Sequence, residues 1–213
     1  MKIIIIGSIA AGVSAAARLA AAQRGAQITV YEKGGFYSCG TGGLPHYLCE
    51  DLDSLNKAIQ AKETELNAQG ITAHLRHEVR GIDAAARKVT VCDLATGRVF
   101  EDHYDKLVLA TGATPRMPPV EGHDLKNVLT LTRLEAADVI RKACEHGQVN
   151  EAVIVGGGFI GLEAAVALSD MWGVKVSVVE MMDQMLPGVL SHNMGKMAAH
   201  DCEAHGLSVY TSE

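Results

Sequence analysis

Aromatic residues are scarce in this chain of 213 residues: three Phe, five Tyr and one Trp make up 4% of it. A core built without them relies on aliphatic and small side chains. The 22 glycines and the 48% hydrophobic share suit helices packed closely on strands and exclude a disordered chain. Basic runs are also missing. Lys and Arg are scattered and the net charge is -6, so nothing here matches a phosphate backbone and nucleic acid is excluded as a partner. Cysteine is sparse and unpatterned: Cys39, Cys49, Cys92, Cys144 and Cys202 form no CxxC pair and are odd in number. That spacing suggests neither a disulfide framework nor a metal site, and it places the protein in a reducing cytoplasm. The apolar run Ile3–Ile6 has only four residues before Gly7, too few for a secretion signal or a membrane span.

What is present is one device used twice. Residues 2–6 read as a buried strand, Gly7-Ser8-Ile9-Ala10-Ala11-Gly12 as a glycine turn, Val13–Ala22 as a helix, Gln27–Tyr31 as a second strand, and Glu32 as a terminal acid. Residues 152–180 repeat the order, with the strand Ala152–Val155, the turn Gly156-Gly157-Gly158-Phe159-Ile160-Gly161, a helix over 162–171, the strand Lys175–Val179, and Glu180. The first glycine makes the tight turn, the second lets backbone approach a pyrophosphate, and the third lets helix and strand pack closely. The phosphates meet the open N–H groups of a helix N-terminus, and the acid accepts hydrogen bonds from an adenosine ribose. The first copy departs from the pattern in carrying Ile9 at the middle glycine, so that side chain must point away from the phosphates.

Between the copies, residues 55–69 predict a helix and 71–75 a third parallel strand. Residues 77–105 alternate as a small antiparallel meander, with Val79, Ile82, Val89, Val91 and Val99 as inward candidates and Ala95-Thr96-Gly97 as a turn. Lys106–Ala110 predicts a buried strand leading to Thr111-Gly112. Pro115, Pro118 and Pro119 mark an exposed connection, and a helix over 133–145, capped at Thr132, leads to the second motif. The expected class is α/β with two Rossmann-like units and a meander: residues 1–115 for the first domain, 116–150 for a connecting segment and helix, 151–213 for the second.

With these motifs in place, the chain resembles the pyridine nucleotide-disulfide oxidoreductases, within them the branch of NADH peroxidase, NADH oxidase and coenzyme A disulfide or persulfide reductases. The resemblance runs over the whole chain. It implies FAD at the first motif, held by Gly7, Ile9, Ala10, Ala11, Gly12, Glu32 and Lys33, with Val79 near the adenine and Thr111-Gly112 near the flavin pyrophosphate. It implies NADH at the second, held by Gly156, Gly158, Phe159, Ile160, Gly161 and Glu180, with Phe159 at the position of an aromatic that shields the flavin. Glu180 would repel the 2′-phosphate of NADPH, and Met181 and Met182 after it offer no compensating charge. Family members are about twice this length and carry a later dimerisation domain, so the chain reads as a fragment of a homodimeric parent.

The resemblance also implies a redox cysteine in a pattern like Ser-Phe-x-x-Cys-Gly-Leu-Pro. The sequence here is Ser38-Cys39-Gly40-Thr41-Gly42-Gly43-Leu44-Pro45. Aligned without gaps, Gly42 takes the cysteine position and Cys39 lies three residues earlier; a gapped alignment makes Cys39 the catalytic nucleophile. His46 is either an acid-base group or an exposed helix histidine. Ala10 stands where peroxidase and oxidase members carry His, which favours a small disulfide or persulfide acceptor over oxygen or peroxide. Two other functions stay open: a cysteine-independent reductase that passes electrons to a rubredoxin- or ferredoxin-like carrier protein or to oxygen, and a nucleotide-binding piece without activity. The methionines between 181 and 197 read as core packing rather than a metal site.

Overall fold

The computed structural model describes residues 1–37, 43–49 and 63–213. The chain forms two compact units, Met1–Gly40 with Leu55–Pro115, and Thr41–Ser54 with Arg116–Glu213.

The first unit is organised by β1 (Lys2–Ile6), β2 (Gln27–Tyr31), β3 (Ile71–His74) and β7 (Lys106–Leu109), parallel and in the order β3-β2-β1-β7. Its centre is the isoleucine run, which is apolar on both faces because both faces are covered. On one side Ile3 and Ile5 join Ala16, Ile28, Val30, Leu66 and Ile71 under α1 (Ala10–Ala22) and α3 (Glu63–Ala68). On the other, Ile4, Ile6 and Tyr31 meet Val89 and Val91 of the meander β4 (His77–Asp83), β5 (Lys88–Asp93) and β6 (Val99–His103). Each fully buried isoleucine contributes about 1.5–3 kcal/mol. α1 starts at Ala10, three residues before the expected Val13.

Three expectations about burial fail here, two through pairing and one through position beside a turn. Val99 is 54% exposed, because it pairs with Cys92 while Phe100 pairs with Val91 and Asp102 with Val89. Residues opposite one another share a face, so the inward side of β6 is Phe100 and Asp102. Asp102 is tolerated there because it accepts from the Tyr31 hydroxyl at 2.8 Å and pairs with the Lys2 ammonium. Ile82 shares the face of Val89 yet is 47% exposed beside the 84–87 turn. Among the described residues β7 pairs with β1 alone, so as an edge strand it leaves Leu109 exposed rather than buried.

The second unit holds β8 (Glu151–Val155), β9 (Lys175–Glu180) and β10 (Ser208–Thr211), parallel in the order β10-β9-β8. Its core joins Ala165 and Leu168 of α5 (Phe159–Trp172), Val176 and Val178 of β9, Cys144 of α4 (Leu134–Glu145), and Met185 and Leu207. Helix α6 (His192–Ala204) adds Ala198, Ala199 and Cys202. The cap of α4 is Arg133 rather than Thr132, and no side chain bonds there. Of the five methionines between 181 and 197, Met185 alone is fully buried, against the expectation of core packing for all; Met181, Met182, Met194 and Met197 are exposed. The short helix α2 (Leu44–Cys49) also belongs to this unit. Trp172 donates its indole N–H to the Leu48 carbonyl at 2.8 Å, Arg141 donates to the Tyr47 carbonyl at 2.9 Å, and the Tyr47 hydroxyl donates to Asp138 at 2.8 Å.

Burial, followed by the bond to Asp102, raises the Tyr31 phenol well above the ordinary tyrosine range. Burial and the bond to Asp138 push Tyr47 up to about 12. Unfolded tyrosines lose their proton near pH ~10, where the folded ones still hold theirs. Stability from this source is therefore complete below about pH 10 and falls as pH rises above it. Urea unfolding at pH ~9 and ~11 should show that fall, and Tyr31→Phe and Tyr47→Phe should each make it shallower. An unchanged pH dependence in both variants would rule the tyrosines out as its source.

Candidate functional site

Each unit carries a glycine turn between its first strand and the helix that follows. In the first, Gly7 leaves β1 with φ +100° and donates its N–H to the Tyr31 carbonyl at 2.8 Å. The next N–H, on Ser8, donates to Glu32 Oε2 at 2.8 Å, while Gly34 N–H donates to Oε1 of the same carboxylate at 2.7 Å. Glu32 is only 8% exposed, so both oxygens are fixed by backbone at the end of β2. In the second, Gly156 leaves β8 with φ +109° and donates to the Val179 carbonyl at 2.8 Å. Gly157 N–H donates to Glu180 Oε2 at 2.7 Å and Met182 N–H to Oε1 at 2.8 Å. Glu180 is 7% exposed. The two acids are held in the same way, each by the N–H after the first glycine and the N–H two residues beyond itself.

The third glycine of each turn is a matter of space. A Cβ on Gly12 would lie 1.8 Å from the Gly7 carbonyl oxygen, and one on Gly161 would lie 2.0 Å from that of Gly156. Helix and strand touch at these points and leave no room for a side chain. The middle position is less strict. Gly158 has φ −82° and Ile9 has φ −76°, ordinary for any residue, which is why an isoleucine fits the first turn. Neither Ile9 nor Gly158 caps its helix with a side chain, and α1 and α5 have no acid in the first turn. The leading N–H groups of both helices thus lack a side-chain cap and an acid within the first helical turn, which suits a phosphate. The residues fit a dinucleotide at each turn.

The other sequence-selected residues divide into three sets. Ala10 and Ala11 open α1 and are exposed. The Ala110 N–H donates to the Ile6 carbonyl at 2.8 Å, which leads Thr111 and Gly112 on beside the first turn as exposed backbone, Gly112 with φ +66°. Phe159 and Ile160 open α5 and are both exposed. Lys33 is exposed, and Val79, on β4 of the meander, is half-buried against the cluster of Ile4, Ile6 and Val91. Cys39 and Gly42 lie outside the described residues. His46 is exposed on α2. Cys92, Cys144 and Cys202 are free thiols, and burial pushes Cys144 and Cys202 up, away from the thiolate a nucleophile needs. Sequence reasoning missed the N–H donors of Ser8, Gly34, Gly157 and Met182; the equal offsets of the two copies were the available signal.

The fold and the paired turns define a protein built around two dinucleotide sites. The family profile of the pyridine nucleotide-disulphide oxidoreductases matches residues 1–213, and the chain belongs to that family. The family is FAD-dependent and uses NADH. A curated NADH oxidase of Methanocaldococcus jannaschii is 33% identical, over 100% of this chain and 47% of its own length. The solved NAD-dependent persulfide reductase of A. fulgidus superposes with TM-score 0.93 at 36% identity, covering 100% of this chain and 40% of that one. An engineered water-forming NADPH oxidase bound to NADPH superposes with TM-score 0.92 at 25% identity, covering 100% and 47%. That protein is a five-substitution variant of the Lactobacillus brevis NADH oxidase in which an aspartate is replaced and two arginines are introduced. The chain spans about half the length of the curated relatives it matches.

Proposed function

We propose that this chain provides the FAD and NADH sites of a cytoplasmic flavin-dependent oxidoreductase that moves hydride from NADH to a small disulfide or persulfide acceptor. The observation that carries the proposal is the matched pair of fixed acids, Glu32 and Glu180, each tied to a glycine turn by two backbone N–H bonds. A carboxylate so held still has lone pairs for a ribose diol, and its place is set by the protein's own backbone. The first turn holds FAD through Gly7 to Gly12, Glu32 and Lys33, with Val79 toward the adenine and Thr111-Gly112 along the pyrophosphate. The second holds NADH through Gly156 to Gly161 and Glu180, with Phe159 and Ile160 exposed where a nicotinamide would arrive. When bound, the flavin supplies hydride acceptance and onward delivery. A sulfur acceptor is favoured over oxygen because Ala10 brings no acid-base group to the start of α1. Among the described residues, no helix is long and apolar enough to cross a membrane.

Cofactor choice at Glu180 provides the test. Anaerobic titration should bleach the flavin with NADH at concentrations about tenfold or more below those needed with NADPH, since one lost charge contact is worth roughly 1.4 kcal/mol. Glu180→Ala should narrow the gap, and adding Met181→Arg should reverse it, as the substitutions in the engineered NADPH oxidase suggest. Equal bleaching by both nucleotides in the unsubstituted protein would remove Glu180 from this role.

The same titration addresses the sulfur step. If Gly42 holds the family's cysteine position, Cys39→Ser leaves dye reduction by NADH unchanged and no thiolate-to-flavin charge-transfer band forms. A band that disappears in Cys39→Ser would instead make Cys39 the working nucleophile.

A further inference from the structure

Gly157 occupies the position that the dinucleotide motif leaves open to any residue, and its backbone is one that L residues adopt, since it has no left-handed φ. Its counterpart in the first turn is Ser8, whose hydroxyl reaches Glu32 at 3.2 Å and the Phe36 carbonyl at 3.5 Å. The second turn has no side chain there to tie it to the loop beyond the acid. The loop comes to the turn instead. Leu186 N–H donates to the Gly157 carbonyl at 2.9 Å, and Met185 fills the space where a side chain at 157 would go. A Cβ on Gly157 would lie 2.8 Å from both Sδ and Cε of Met185 and 3.2 Å from Cβ of Glu180.

The end of a methionine is flexible in itself, so what surrounds Met185 sets how far it can yield. Its side chain is 0% exposed and belongs to the core of the second unit with Val178 and Ala165. Helix α6 closes on its backbone, for a Cβ on Gly195 would stand 2.8 Å from the Met185 carbonyl oxygen. The next residue is held in an unfavourable conformation: Leu186 has φ 51°, which costs a branched side chain. In that conformation it also accepts the N–H groups of Val189 at 3.2 Å and Leu190 at 3.1 Å. Strain of this kind persists only where the surroundings hold it.

We propose that Met185 and Leu186 are positioning residues for NADH binding: they brace Gly157 from behind, and the glycine there is required by Met185 rather than by the nucleotide. This rests on the NADH assignment of the second turn.

The experiment is a double-substitution cycle in the full chain, using Gly157→Ala, Met185→Val and the pair. Valine keeps an apolar side chain but lacks the sulfur and terminal methyl that meet the added Cβ. Three quantities are read: the NADH Kd, the FAD content and the melting temperature. Gly157→Ala should raise the Kd by about tenfold or more, the scale of one misplaced contact, with FAD content unchanged. Adding Met185→Val should return the Kd close to that of Met185→Val alone, and the melting temperatures should be non-additive in the same direction. Normal NADH binding by Gly157→Ala would overturn the proposal, because the end of Met185 would then have turned aside freely. No recovery in the double variant would also overturn it, placing the clash on the nucleotide itself. If the unsubstituted chain fails to bind NADH, the cofactor assignment fails; the melting cycle then judges the brace by itself, additive temperatures refuting it.

Discussion

Gly12→Val is expected to leave the protein unable to retain FAD. Its Cβ would stand 1.8 Å from the Gly7 carbonyl oxygen, about half a normal carbon-to-oxygen contact distance, and the atom it meets is backbone. α1 must then lift from β1, which takes the leading N–H groups of the helix away from the turn and opens the contact of Ala16 with Ile3 and Ile28. Overpacking of this kind costs about 1–3 kcal/mol even where side chains can yield, and here none is available to yield. The control lies in the other copy. Gly161→Val creates the same collision with the Gly156 carbonyl and should abolish NADH binding while FAD content stays normal. Gel filtration after incubation with FAD, followed by the flavin absorbance of the protein peak, measures the first effect; NADH titration measures the second. A yellow, correctly folded Gly12→Val protein would disprove the role assigned to the first turn.

The second large effect is expected at Arg141. Its side chain is 4% exposed, and it donates through Nη1 to the Tyr47 carbonyl and through Nε to Glu145 at 2.9 Å each, with its guanidinium carbon 5.0 Å from the centre of the Tyr47 ring. Arg141→Met keeps much of the apolar bulk and removes every donor. The buried carbonyl of Tyr47 loses that donor, whereas Glu145, with 27% of its side chain exposed, turns to water. The expected loss is about 2 kcal/mol, within the range for hydrogen bonds to a charged group. Arg141→Lys should recover little of it, because one ammonium cannot reproduce a planar fork that serves two acceptors and a ring. Denaturant midpoints at constant m-value give the comparison. A change below about 0.5 kcal/mol in Arg141→Met, the usual size for surface sites, would show that α2 is held without the arginine.

The two turns were legible in the sequence because their requirements are local. A glycine that touches a carbonyl five residues back, and an acid that closes the next strand, are fixed by spacing within about 25 residues, and each occurs twice. Elements whose burial depends on a distant partner were not legible. Val99 and Phe100 are both apolar neighbours, and only the pairing with β5 decides that Phe100 faces the core. Lys106–Leu109 has the composition of a central strand, but among the described residues it pairs on one side alone. Arg141 sits in a helix of mixed polarity where an arginine ordinarily faces water; what buries it is α2, 94 positions away in sequence. Met185 was indistinguishable from its exposed neighbours Met181 and Met182, since nothing in a run of methionines says which one lies beneath a glycine.

The placement of α2 has a bearing on how the chain comes to be made. The helix is flanked in sequence by segments of the first unit but is built into the second, with bonds that span 91 positions from Tyr47 to Asp138 and 124 from Leu48 to Trp172. Synthesis runs from the N-terminus at about 5–20 residues per second. The ribosome therefore releases α2 several seconds or more before the helices that receive it, so the second unit is begun before the last residues of the first are made. Until those helices arrive, the apolar side of Leu44 and Leu48, each almost wholly buried at the end, is the surface a chaperone would meet.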